Sequence, residues 1–76
     1  MFGVNKISQS GIHEAVTKGE VAQCFENREE HEHNDELIFG TKCEQGAERV
    51  RDAIVRRVNN GATIDKIVDV RVFEFS

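Results

Sequence analysis

The sequence contains no proline, tryptophan or tyrosine, and it has only two cysteines among 76 residues. The lack of proline excludes a proline-rich linker, and only the five phenylalanines are available to stack on a nucleic-acid base. A disulfide framework in so short a chain would need about four cysteines or more. We therefore expect Cys24 and Cys43 to be small, buried, reduced residues.

Long apolar stretches are absent as well. No apolar run approaches the roughly 20 residues that a membrane helix needs. The start of the chain, Met-Phe-Gly-Val-Asn-Lys, lacks the basic-then-apolar order of a secretory signal, so we expect a cytoplasmic protein. Its 76 residues suffice for a single small domain over 1–76 with a thin core. Pairing with a second copy would help to stabilise so small a domain.

Signatures of catalysis are also missing. Gly40, Gly46 and Gly61 stand alone, so the chain has no glycine-rich phosphate loop, and it has no G-x-S-x-G sequence. A chain of this length has little volume for a shaped pocket. We predict that the protein is not an enzyme and needs no cofactor.

The C-terminal half carries the clearest structural pattern. Thr41-Lys42-Cys43-Glu44 matches a capping box, and an apolar stripe at helical spacing follows it, so the pattern predicts a helix over 42–59. Asn59-Asn60-Gly61 would end that helix. Alternation of β-branched and aromatic residues predicts a strand over 67–75, and short apolar runs predict strands over 36–40 and 2–7.

The N-terminal half leaves two folds open. Ser10 is a suitable cap for a brief helix that Gly19 would end, and residues 20–26 fit either a strand or a helix. A strand there gives the order β-α-β-β-α-β, the ferredoxin-like split βαβ arrangement, with the acidic residues at the tip of its central hairpin. A helix there gives an α+β fold with a three-stranded sheet. We prefer the first because Val21, Gln23 and Phe25 alternate.

Residues 26–36, hereafter the acidic segment, hold six carboxylates and one arginine, a net charge of -5, whereas the whole chain carries -4. The remainder therefore carries +1, and the negative charge is concentrated in one patch. Concentrated carboxylates steer association with basic surfaces. We expect this segment to bind a protein partner through these residues: Glu29, Glu30, Glu32, Asp35 and Glu36.

Two histidines lie within the acidic segment. The surrounding carboxylates favour the protonated imidazole and should raise the pKa of His31 and His33, so partner binding should weaken below neutral pH. Alternatively, the histidines join Cys24 and Cys43 in a zinc site of a metal-stabilised regulatory domain. The cysteine spacing matches no standard zinc module, which favours solvated histidines and core cysteines and no metal.

A third alternative is direct binding of nucleic acid by the arginines of the predicted helix. These are Arg49, Arg51, Arg56 and Arg57. At 100° per residue they do not share one face, and pairs such as Glu48 with Arg51 and Asp52 with Arg56 would hold them on a solvated surface. The net acidity of the chain also disfavours nucleic acid.

In size, acidity and low cysteine content the chain resembles the accessory inhibitors that phages and mobile elements encode. That resemblance implies a small regulatory protein that masks the basic, nucleic-acid-binding site of another protein. The predicted C-terminal strand over 66–75 adds a second expectation, because a strand at the end of a sheet can pair with a second copy to form a homodimer.

Overall fold

A computed structural model of the chain describes residues 1–25, 36–61 and 64–76. Its strands are β1 (Phe2–Ser8), β2 (His13–Ala15) and β3 (Ile67–Glu74), and its helices are α1 (Lys18–Phe25) and α2 (Glu44–Arg57). Both strand pairings are antiparallel, and the strand order in the sheet is β2-β1-β3. The protein is therefore an α+β domain with the element order β-β-α-α-β.

The ferredoxin-like split βαβ order is wrong, and the three-stranded α+β alternative is confirmed. Residues 13–15 form a strand and not part of a helix because the chain reverses tightly after β1. Gly11 has a φ of 88°, and the Ser8 amide donates to the Ile12 carbonyl at 2.9 Å. This turn aligns Ile7 with His13 and starts the pairing of β1 with β2.

The strand preferred for residues 20–26 is also wrong, because α1 occupies most of this stretch. A capping box starts this helix one turn before the alternation that suggested a strand. The Thr17 amide donates to Glu20 Oε1 at 3.2 Å, and the Glu20 amide donates to Thr17 Oγ1 at 3.2 Å. The two reciprocal bonds satisfy amides that the first helical turn leaves without a partner.

The capping box predicted at Thr41 is not formed. Helix α2 begins at Glu44 with Cys43 as its N-cap, and no side chain caps it. Thr41 Oγ1 accepts a hydrogen bond from the Cys43 amide at 3.2 Å, one residue before the Glu44 amide that a capping box would bind. The helix predicted over 42–59 is thus confirmed in place but is shorter at both ends.

The predicted strands over 2–7 and 67–75 correspond to β1 and β3. The strand predicted over 36–40 is wrong, because this stretch makes one isolated bridge, from Ile38 to Thr17, and the next residue, Thr41, makes another to Phe2. These bridges extend the pairing beside β1 without forming a regular ladder.

The core lies between one face of the sheet and the two helices. Val4, Val16, Val50 and Ile54 form its buried cluster, and Val70 packs against that cluster from β3. On the opposite face of the sheet, Phe73 covers Gly3, where a Cβ atom would lie 2.9 Å from the phenyl ring. No helix within the described ranges is both long and apolar enough to cross a membrane.

The Thr17 capping box yields a direct test. Replacing Thr17 by Ala should lower the free energy of unfolding by about 1 kcal/mol, because it leaves the Glu20 amide without its acceptor. The matched control is Thr41→Ala, at the box that is absent from the structure, and it should cost clearly less. Urea unfolding of both variants measures the difference, and an equal loss in the two would contradict the assignment.

Candidate interaction surface

The direction of the backbone hydrogen bonds of β1 shows which side of β3 is open. Phe2 donates its amide to the Thr41 carbonyl at 2.7 Å, and the Val4 carbonyl accepts the Val16 amide at 2.8 Å. Both bonds leave β1 on the side of β2. Because the N–H and C=O groups of an antiparallel strand alternate between its two sides, Gly3 and Asn5 bond toward β3.

The partners of Gly3 and Asn5 in the register are Phe73 and Arg71. These two residues use their backbone groups to hold β3 to β1. The residues between them, above all Val70 and Val72, must therefore direct their N–H and C=O groups away from the sheet. Within the described ranges β3 is the end of the sheet, so this edge is available to another strand.

Side chains close the edge at its N-terminal end. The Asn59 side chain donates to the Ile67 carbonyl and accepts from the Ile67 amide, both at 2.7 Å. Two residues later, Asp69 Oδ1 accepts a hydrogen bond from the Val70 amide at 2.9 Å, and Asp69 Oδ2 pairs with the Arg71 guanidinium. The edge beyond these contacts has no such side-chain cap among the described residues.

A groove runs between α2 and this edge. It comprises two cavities of about 480 and 470 Å³, which share Arg51 and Val70 as lining residues. One cavity is lined largely by charged residues that include Glu48 and Glu74, and the other by apolar residues together with Arg51, Asn59 and Asp69. In the second cavity, Val55 and Val68 are 53% and 65% exposed, which is unusually high for valines beside a core.

The Asp65 carboxylate holds the segment that leads into β3 against the turn that follows β1. Asp65 accepts hydrogen bonds at 3.0 Å from both the amide and the hydroxyl of Ser10, in the turn that follows β1. These bonds favour the charged form and lower the pKa of the Asp65 carboxyl from its ordinary 3.8. The Asp65 contact and the Asn59 contact together set where β3 begins.

The predicted metal ligands do not come together in the described residues. Cys24 packs against the core, where burial raises the pKa of its thiol, whereas Cys43 is the exposed N-cap of α2. His31 and His33 lie outside the described residues. Across 1–25, 36–61 and 64–76, no three side chains of His, Cys, Asp or Glu are grouped to hold a metal ion.

Most of the acidic segment also lies outside the described residues, including Glu29, Glu30, Glu32 and Asp35, whereas Glu36 is exposed. The chain on either side of the gap is held to the fold. Phe25 ends α1, and the Leu37 carbonyl accepts the Lys18 amide at 2.8 Å. Phe25, Leu37 and Ile38 are each more than half exposed, so apolar side chains flank the acidic segment on both sides.

The arginines of α2 are spread as their spacing predicts. Arg49, Arg56 and Arg57 are exposed, whereas Arg51 is half-buried and pairs at 3.1 Å with Asp52, the next residue, instead of with Glu48. The structure gives no continuous basic face on this helix. The nucleic-acid alternative therefore stays a prediction from sequence alone.

No family model, no curated protein and no solved structure that was compared with this chain matches it. Its function must therefore be argued from its own residues. The sequence indicated the acidic segment, the terminal strand and the charges at Asp69 and Arg71 that can protect a strand edge, but it did not reveal the contacts of Asn59 and Asp65.

The lowered pKa of Asp65 predicts a specific dependence of stability on pH. A carboxyl whose pKa is lower in the folded state stabilises the fold above its unfolded pKa, and this contribution disappears as the pH falls through the folded value. The melting temperature of Asp65→Asn should therefore be lower than that of the wild type at neutral pH, and the difference between the two melting temperatures should shrink below pH 3.8.

Thermal unfolding followed by circular dichroism across that range measures the gap. Ser10→Ala is the matched variant, because it removes the hydroxyl donor while it keeps the carboxylate, and it should reproduce part of the effect. A gap between wild type and Asp65→Asn that stays constant with pH would show that the Ser10 contacts do not hold the carboxylate.

Proposed function

We propose that the protein is a small, non-enzymatic binding protein whose acidic segment engages a basic surface on a macromolecular partner in the cytoplasm. The role that best suits it is regulatory: occupation of a basic nucleic-acid-binding site, as an inhibitor would do. The proposal rests on how charge is divided between the acidic segment and the rest of the chain.

The same division holds when the described residues are counted separately. Residues 1–25, 36–61 and 64–76 contain nine acidic and nine basic side chains, so they carry no net charge. The whole chain carries -4, and all of it falls in residues 26–35. The net negative charge that would attract a basic partner at long range therefore comes from this stretch of the acidic segment.

The attachment of the segment supports a contact role. The chain on its C-terminal side is tied to the fold by hydrogen bonds from Phe39 to Val16 and from Lys18 to Leu37. The chain on its N-terminal side is α1. The exposed Phe25, Leu37 and Ile38 would add apolar contacts beside the carboxylates. Interfaces commonly combine an apolar centre with a charged rim, the first for affinity and the second for rate.

Histidines in the segment would make this binding sensitive to pH. Protonation of His31 and His33 would add two positive charges to a stretch that otherwise carries a net negative charge. Binding to a basic partner should then weaken on mild acidification. This effect would come from the segment itself and would not require any change in the fold.

The test compares two triple variants with the same change in net charge. The first is Glu29→Gln, Glu30→Gln and Glu32→Gln in the acidic segment. The control is Glu14→Gln, Glu44→Gln and Glu74→Gln, at three exposed carboxylates elsewhere. Proteins captured from a host lysate by the wild type at low salt, and released at high salt, supply the partner.

The rate of association with that partner is then measured by surface plasmon resonance over a range of salt. The first variant should associate about tenfold more slowly at low salt and show a flatter salt dependence, while the control stays close to wild type. Competition by duplex DNA or RNA would show that the partner's nucleic-acid site is the one occupied. Equal rates for both variants would place the contact elsewhere and refute the proposal.

A further inference from the structure

We infer that the open edge of β3 pairs with β3 of a second copy of this chain, antiparallel and about a two-fold axis at Val70. The pairing would join the two three-stranded sheets into one continuous sheet. This inference is independent of the acidic segment, because it uses only β3, α2 and the groove between them.

The backbone limits the registers that such a pair can adopt. Val70 and Val72 direct their hydrogen-bonding groups outward, whereas Asp69, Arg71 and Phe73 direct theirs toward β1. Outward residues must therefore lie opposite outward residues of the partner. A slip of one residue would place inward groups opposite outward ones and is excluded.

Among the registers that remain, charge selects one. Centring the pair on Val70 places Asp69 opposite the partner's Arg71 twice, once on each side of the axis. Centring it on Asp69 or on Arg71 places like charges directly opposite each other, which destabilises a sheet. Centring it on Val72 places Val70 opposite the partner's Glu74, an apolar side chain against a carboxylate.

The register centred on Val70 also places apolar side chains opposite each other, and the pairing that it gives ends where the open edge of β3 ends. It pairs the regularly alternating residues 69–71 with one another and leaves Val68 and the partner's Val72 facing each other at the two ends of the paired stretch. Val68 lies at the irregularity where β3 shifts register against β1, and the Asn59 side chain already occupies Ile67. The pairing thus ends where the edge is closed.

The groove beside α2 supplies further surface. Val55 and Val68 are more than half exposed in the single chain, and both line the cavity of about 470 Å³ next to the paired stretch. In the register centred on Val70, the second copy would place its Val72 beside Val68 at this cavity. Covering exposed valines with valines adds the apolar area that a bare backbone pairing lacks.

Asp69 and Arg71 would exchange their ion pair within one chain for ion pairs between the two chains. In the single chain Asp69 caps the Val70 amide and pairs with its own Arg71. In the pair, each Asp69 would take the partner's Arg71 and release the Val70 amide to the partner's Val70 carbonyl. The ion pairs are exchanged without loss, while backbone hydrogen bonds are gained.

The experiment uses the full chain and two charge reversals, Asp69→Arg and Arg71→Asp. Each variant alone would place like charges opposite each other at both positions, so its self-association should be about tenfold or more weaker than that of wild type. An equimolar mixture should restore association as a heterodimer, because every pair across the axis again joins opposite charges. Sedimentation equilibrium over a range of concentration measures all three, and native mass spectrometry identifies the heterodimer.

Each outcome decides the matter. A wild type that stays monomeric at its highest soluble concentration would overturn the inference, and so would dimers that persist in either single variant. Two monomeric variants whose mixture also stays monomeric would overturn the register. Monomeric variants that recombine would support it.

A second substitution guards against misfolding of the charge variants. Val68→Glu changes a side chain that is 65% exposed, and it should abolish self-association while the thermal melt stays close to wild type. Ile64→Glu is the matched control, because Ile64 is 84% exposed and lies outside the paired stretch. Dimers that survive Val68→Glu, or that Ile64→Glu abolishes equally, would overturn the inference.

Discussion

The structure depends on how β1 divides its backbone hydrogen bonds between two sides. On one side it bonds to β2, Val16 and Thr41, and on the other it bonds to β3 along its whole length. β1 is thus the central strand, and β3 is an outer strand of the sheet that residues 1–25, 36–61 and 64–76 form. From Asp69 to Glu74, its residues alternate between bonding to β1 and directing their backbone groups away from β1. The groove, the Asn59 contact and the Asp69 contact all follow from this position.

Much of the fold was visible in the sequence where a pattern extended over many residues. Helix α2 and strands β1 and β3 each carry a long periodic signal that tertiary packing reinforces. Strand β2 has three residues and owes its existence to the turn at Gly11, so no local pattern could reveal it. Helix α1 was the less favoured of two alternatives for residues 20–26 because Gly19, which lies in its first turn, looked like a helix end. The Thr17 and Glu20 capping box was present in the sequence and should have outweighed that glycine.

The functional surfaces divide in the same way. The acidic segment is evident from composition, because its carboxylates lie close together in the sequence. The open edge of β3 could be guessed from its terminal place, but its register could not. The register depends on which backbone groups of β3 are free. Only the pairing with β1 shows that Arg71 bonds to β1 and that Val70 directs its N–H and C=O groups away from it. A neutral body also permits close contact between copies, and a pair would carry the acidic segment twice and could bind a partner with greater avidity.

Amide hydrogen exchange followed by NMR tests the alternation along β3 most directly. In a dilute sample the amides of Arg71 and Phe73 should be protected, because they are bonded to β1, while the amide of Val72 should exchange rapidly. Raising the concentration should slow exchange at Val72 and leave its neighbours unchanged. Equal protection of Val72 and Arg71 in the dilute sample would contradict the account, because it would mean that β3 has no open edge.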